Sequence, residues 1–286
     1  MFENRTINRL DRMLDAALTG DFRESDYDET KLSRLETKWK RFLTASSLSR
    51  DALTREKENV KSLVSDISHQ TKTPMTNIRL YVSLLEELLL TETRMTRQEE
   101  ALGMLKELTR QTEKLEFLIQ SLTKMSRLES NIVEVRPEKQ PILPLLSEVI
   151  DEAVAKAEQK RITIHNTYEG EACASFDFKW TKEAVGNVLD NAVKYSPAGS
   201  TVTISVTEYE MYLAVSIKDE GIGIREEEIP KIFGRFYRAE EVSQEEGVGI
   251  GLYLTREILK KEDGYVKVKS KPGEGAEFMI YLHKGR

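Results

Sequence analysis

The sequence predicts two structural regimes in one chain, a long helical hairpin followed by an α+β sandwich, and three observations predict them. From about residue 29 to 90, and again from about 97 to 129, the chain is charged, almost free of glycine and rich in helix formers. Within the first stretch the positions 60, 64, 67, 71, 74, 78, 82, 85 and 89 step by fours and threes. They hold Val60, Val64, Ile67, Thr71, Pro74, Ile78, Val82, Leu85 and Leu89, a coiled-coil seam with a polar and a proline interruption. Past the prolines at 137, 141 and 144 the pattern changes to strands alternating with helices.

Each element follows from local pattern. Ile7, Leu10, Leu14, Ala17 and Leu18 lie at helical spacing ahead of a polar, acidic break, which predicts a short helix and a loop. In the second long helix Leu105, Leu108, Leu115, Leu118, Leu122 and Met125 answer the seam of the first. A lone hairpin would leave much of that apolar surface wet, so pairing of two chains into a four-helix bundle is expected. The later part reads as a helix near 142–160, the strand "RITIHNTY", a helix near 180–195, the strands "TVTISVTEY" and "YLAVSIKDE", a helix near 249–262, and the hairpin "YVKVKSKPGEGAEFMIYL". The expected domains are 1–58, a helical signal-transmitting linker, 59–133, the hairpin, and 138–286, the sandwich.

Bulk composition narrows the function. The 43 Lys plus Arg against 49 Asp plus Glu give a net charge of −6, with both signs spread along the chain, which disfavours nucleic acid as a partner. Cys173 is the lone cysteine, so neither an internal disulfide nor a cysteine-rich zinc site is open to the chain. No run approaches a membrane span or a secretory signal. A cytoplasmic location is expected, with a membrane involved only through an upstream segment outside this sequence.

The chemistry concentrates in four short stretches. "NVLDNAVKY" puts Asn187, Asn191 and Lys194 on one helix face, where an amide oxygen suits Mg²⁺ and an ammonium suits phosphate. "DEGIGI" ends a strand with an acid able to accept from an adenine amine, and with glycines that allow close backbone approach. "GVGIGL" can crowd backbone amides around a phosphate at the start of the next helix. Between the last two lies a long charged segment anchored by Phe233 and Phe236, which reads as a mobile lid. Each stretch alone has an ordinary structural explanation as helix surface, turn or loop.

Their order is far more specific. Residues 65–284 resemble a two-component sensor histidine kinase: "SHQTKTPM" is similar to its histidine box, "NVLDNAVKYS" to its asparagine box, "DEGIGI" and "GVGIGL" to its two glycine boxes, and "IFGRFYR" to its phenylalanine box. The resemblance implies a dimerising, phosphoaccepting hairpin followed by a Bergerat-type α/β sandwich that binds ATP. It implies that Asn187 binds Mg²⁺, that Asn191 and Lys194 contact phosphates, that Tyr195 packs on adenine and that Asp219 recognises the adenine amine. Gly221 and Gly223 would form the adenine-side turn, and Gly247, Gly249 and Gly251 the hinge of the lid. Arg235 and Arg238 are candidates for offsetting phosphate charge, against the plain alternative of solvated surface arginines.

His69 lies two residues from both Ile67 and Thr71, about 200° around the helix from each, and so points away from the bundle core. An exposed neutral imidazole is a good nucleophile, and attack on the γ-phosphate of ATP would give a transferable phosphoramidate. His165 and His283, in apparent strands, read as ordinary polar residues. Pro74 removes a backbone donor below the nucleophile and is expected to act as a soft joint for switching. Thr73 shares the face of His69, and the resemblance makes it a candidate for positioning water in phosphatase chemistry.

Two positions depart from the family pattern. Gln70 stands where an acid commonly follows the histidine, and an amide cannot be a general base near pH 7. Ala276 stands where a threonine is more usual near adenine. The expected activity is autophosphorylation of His69 in a homodimer and transfer to an aspartate in the receiver domain of a separate response regulator, separate because the sequence stops just after the last hairpin. Two other classes remain open on sequence: an ATPase of the same sandwich type without phosphotransfer, which would have no use for a histidine box, and a dimeric signalling scaffold with a degenerate nucleotide site.

Overall fold

The computed structural model describes residues 31–90, 97–129, 135–239, 242 and 247–285. The expected helix at 5–19, the turn between the long helices and part of the expected lid lie outside the described residues. Two compact units divide the chain, Met1–His69 and Gln70–Arg286, and the boundary falls within one helix.

That helix, α1 (Lys31–Leu90), runs for 60 residues and α2 (Arg97–Glu129) for 33. Glu99 and Glu100 in the first turn of α2 and Arg127 in its last complement the helix dipole. Helix α1 continues on both sides of Pro74, so the proline leaves the Gln70 carbonyl without its usual intrahelical donor but does not end the helix. Along the seam Pro74 is buried, Ile67, Thr71, Ile78 and Leu85 are partly covered, and Val60, Val64 and Val82 remain exposed. On α2 the side chains of Leu118, Met125 and Leu128 are buried while Leu105 is exposed.

The rest of the second unit is built from β1 (Glu138–Pro141), α3 (Ile142–Gln159), β2 (Thr163–Asn166), β3 (Cys173–Phe176), α4 (Phe178–Tyr195), β4 (Thr201–Glu208), β5 (Tyr212–Lys218), α5 (Gly251–Lys261), β6 (Tyr265–Ser270) and β7 (Ala276–His283). Five strands form a mixed sheet in the order β2-β4-β5-β7-β6, parallel only between β2 and β4. Strands β1 and β3 form a separate antiparallel pair that the sequence pattern does not reveal, with Lys139 opposite Ser175.

Strand alternation sorts the sheet into two faces. Leu213, Val215 and Ile217 of β5 and Phe278, Ile280 and Leu282 of β7 join one core with Leu145, Leu146 and Val149 of α3 and Val185, Val188 and Leu189 of α4. The intervening Ala214, Met279 and Tyr281 make a small cluster on the opposite face. There Tyr265 stacks on Tyr281 with ring centroids 4.4 Å apart, and the Lys267 ammonium sits 5.5 Å from both rings. The two edges of the sheet are β2, four residues long, and β6, in which Lys267 and Lys269 are exposed.

Helix α4 is fixed at both ends. The Asp177 carboxylate caps its start, accepting from the backbone N–H of Lys179 at 3.1 Å and of Trp180 at 3.2 Å. At its end the Lys160 ammonium donates to the carbonyls of Val193, Lys194 and Ser196, which suits the negative end of the dipole. The C-cap of α5, Glu262, is buried and accepts from the Asp177 N–H at 3.0 Å and from the Thr181 hydroxyl at 2.9 Å, tying α5 to the start of α4.

Burial, outweighing those two hydrogen bonds, raises the Glu262 carboxyl to about 7. The folded chain therefore holds a proton that the unfolded chain releases near the ordinary carboxyl value, and this contribution to stability is lost as pH rises from about 5 through 7. Glu262→Gln keeps a neutral acceptor, so thermal unfolding is expected to show the variant gaining on the native chain between pH 5 and 8, by on the order of 2 kcal/mol. Parallel stability curves for the two proteins would show that Glu262 does not titrate in this window.

Candidate nucleotide-binding site

The amphipathic division of α4 builds one wall of the site. Trp180, Ala184, Val185, Val188, Leu189 and Ala192 point into the core. The rotation this imposes leaves Asn187, Asn191, Lys194 and Tyr195 partly exposed along a single cavity, and all four line it. The Lys194 ammonium donates to the Tyr195 hydroxyl at 2.9 Å and lies 4.5 Å from the centre of its ring. The Asn187 side-chain nitrogen is buried without a hydrogen-bond partner. Rotating that amide by half a turn puts its oxygen in the same place, so Asn187 presents the cavity with an unmet polar end that fits an incoming ligand or cation.

Opposite α4, the loop after β5 supplies Asp219. It is 5% exposed, and its Oδ1 accepts from the N–H of Gly221 at 2.8 Å and of Ala276 at 3.1 Å. Burial outweighs these bonds and raises the carboxyl above its ordinary value. Both donors hold the same oxygen, which fixes the carboxylate where it lines the cavity. Gly221 lies beneath the site and does not line it: a Cβ there would meet the Tyr195 carbonyl oxygen at 2.7 Å and Asp219 Oδ1 at 2.8 Å. Gly275, which the sequence analysis does not single out, has φ 80° and would drive a Cβ to 2.1 Å from the Asp219 carbonyl oxygen.

The remaining expected residues divide. Gly223, Gly247, Gly249, Gly251 and Arg238 line the cavity, and Arg238 also donates to the Val242 carbonyl at 2.5 Å. Arg235 does not line it. Its guanidinium bonds the Glu129 carboxylate of α2 at 2.6 Å and the Tyr253 hydroxyl of α5 at 3.0 Å. Tyr253 donates to the same Glu129 oxygen, and burial, followed by that bond, pushes its phenol up to about 12. In the segment between the glycine boxes residues 226–236 form turns, Phe233 packs against the core, and Phe236 takes a φ of 59°. Sequence reasoning also missed Phe117 of α2 and Ile222, Ile224 and Tyr237, which add apolar lining. Only their positions in three dimensions reveal them.

His69, Gln70, Thr73 and Pro74 lie on α1. His69 and Thr73 are exposed, Gln70 is partly covered and Pro74 is buried. His165 lies in β2, and His283 in β7 accepts at Nδ1 from the Gly285 N–H.

A cavity with an amide and lysine wall, a buried acid held by backbone amides and a glycine-rich helix start defines a nucleotide-binding α/β sandwich joined to helices. Residues 59–131 match the His Kinase A (phospho-acceptor) domain, and residues 176–286 match the histidine kinase-, DNA gyrase B- and HSP90-like ATPases. The chain is 30% identical over 226 residues to the sensor histidine kinase WalK of Bacillus subtilis and 27% identical over 226 residues to the sensor protein SrrB of Staphylococcus aureus. These alignments take in 78% of this chain but only 36% and 38% of the two relatives. Among solved structures, the Acinetobacter baumannii histidine kinase AdeS superposes with a TM-score of 0.59 at 20% identity, covering 76% of this chain and 98% of that one, which is a likeness of fold. The chain carries a phosphoacceptor domain and an ATPase domain of the histidine kinase type.

Because a Cβ at Gly221 would collide with both Asp219 Oδ1 and the Tyr195 carbonyl, Gly221→Ala is expected to weaken adenine-nucleotide binding by at least about tenfold. Titration of a fluorescent adenine nucleotide measures it, and undiminished affinity would remove Asp219 from the recognition site.

Proposed function

We propose that the chain is an ATP-dependent protein-histidine kinase that phosphorylates its own His69 and passes the phosphoryl group to an aspartate in the receiver domain of a response regulator. The observation that carries the proposal is that one chain holds an exposed histidine on the helix of its phosphoacceptor domain and a cavity that gathers Asn187, Asn191, Lys194 and Asp219. Asp219, with its Oδ1 fixed, would accept from the adenine amine, while Asn191 and Lys194 would meet phosphate oxygens. Among the described residues no three acidic, histidine or cysteine side chains form a metal cage. Asn187 fits a Mg²⁺ that takes its other ligands from phosphates and water and that would neutralise charge on them.

The chemistry balances without a further protein group. An imidazole nitrogen attacks the γ-phosphorus, the P–N bond forms as the bond to the ADP oxygen breaks, and the ring proton leaves to water or a phosphate oxygen. Gln70 accepts a hydrogen bond but takes no proton, so this chain would run the step without the base that an acid would supply. Thr73, one turn from His69 on the same exposed face, would orient water for hydrolysis of the phosphorylated partner. The exposed apolar side chains of Val60, Val64, Val82, Leu102 and Leu105 favour a homodimer through the hairpin helices.

Incubation with Mg²⁺ and γ-labelled ATP is expected to label the chain with phosphate that is lost in acid and kept in base, and His69→Gln is expected to abolish that label. Label that persists without His69 would overturn the assignment in favour of another acceptor, and none despite nucleotide binding would overturn it in favour of the scaffold. Gln70→Glu is expected to speed labelling by about tenfold or more, with nucleotide affinity unchanged. An unaltered rate would mean that proton removal does not limit the step.

A further inference from the structure

Phe117 belongs to the phosphoacceptor domain, yet it lines the nucleotide cavity of the ATPase domain. It is 53% exposed, a large aromatic face left unfilled at the edge of a site that contains Asn187, Tyr195 and Asp219. Three contacts hold α2 so that the ring arrives there. Lys124, two helical turns beyond Phe117 on the same face, bonds Glu183 of α4 at 2.7 Å, and Glu183 lies one turn before Asn187. At the end of α2 Glu129 receives both Arg235 and Tyr253, whose ring lies 5.0 Å from the Arg235 guanidinium carbon. Tyr253 is buried, and the side chains of Arg235 and Glu129 are 21% and 30% exposed, which makes this a partly screened ion pair. Close by, Met125 and Leu128 of α2 are buried to 1% exposure.

We propose that Phe117 is a nucleotide-contacting residue contributed by the helical hairpin, and that Glu129 is its positioning residue, holding α2 in place through Arg235 and Tyr253. The inference rests on the ATP-binding reading of the cavity and deepens it. Nucleotide filling the cavity covers the ring, so occupancy and docking of α2 are linked and each strengthens the other. Arg235, sought in sequence as a phosphate ligand, is in this arrangement a structural cation that makes the site composite.

A double-mutant cycle on the full chain tests this, read as the dissociation constant of a fluorescent, non-hydrolysable adenine nucleotide, so that no phosphoryl transfer is needed. Phe117→Ala and Glu129→Ala are each expected to weaken binding about three- to tenfold, and the double variant to bind no more weakly than the weaker single. Phe117→Tyr, which keeps the ring, is expected to bind as the native chain does. Melting temperatures of the variants, measured beside the affinities, separate these effects from misfolding. Binding by Phe117→Ala within twofold of native, or losses that multiply in the double variant, would overturn the linkage while leaving the ATP site intact. Absence of nucleotide binding by the native chain would overturn the underlying reading and this inference together.

Discussion

Asp177 stands where three parts of the ATPase domain meet, and the position of the site depends on it. Its carboxylate caps α4 and accepts from the Arg136 N–H of the segment leading in from the hairpin, while its own N–H goes to the buried Glu262 at the end of α5. A cap fixes where a helix starts, and the starting point fixes which residues fall on which face. One residue of slippage would rotate α4 by about 100° and turn Asn187, Asn191 and Lys194 away from the cavity. The cavity-lining amide of Asn187 is thus placed by a carboxylate ten residues upstream that does not line the cavity.

The site is arranged so that backbone does what the side chains of this particular sequence do not. Ala276 lacks the hydroxyl that the family pattern leads one to expect, yet its N–H holds Asp219 Oδ1 and its carbonyl accepts from the Asp219 N–H at 2.9 Å. Strand β7 therefore keeps its grip on the acid whatever the side chain at that position. Gln70 is a different kind of departure, because no main-chain group substitutes for a proton acceptor.

Much of this was legible in sequence where the signal is local or periodic. The long helices, the five strands of the main sheet and the amide face of α4 follow from spacing alone, with boundaries within a few residues of those observed. Strands β1 and β3 escaped because "EKQP" and "CASF" are only four residues each; their pairing is set by the partner strand and by neighbours such as the Ile142 N–H donating to the Ala172 carbonyl. Phe117 and Glu129 escaped for another reason. On a helix rich in charge and leucine, a phenylalanine and a glutamate look like any others, and only the docking of α2 separates them. Gly275 escaped as well, because its close approach to the Asp219 backbone is a contact between segments distant in sequence.

The edges of the main sheet bear on how such a molecule behaves in a crowded solution. An open sheet invites strands from other molecules to extend it, and this one offers little to hold: one edge is too short to template a partner, and the other carries two outward lysines that would have to be stripped of water or brought against like charges. The stacked tyrosines beside that lysine-bearing edge are shielded by the same ammonium that caps them. Strand-by-strand association between copies is thereby disfavoured at both edges of this sheet.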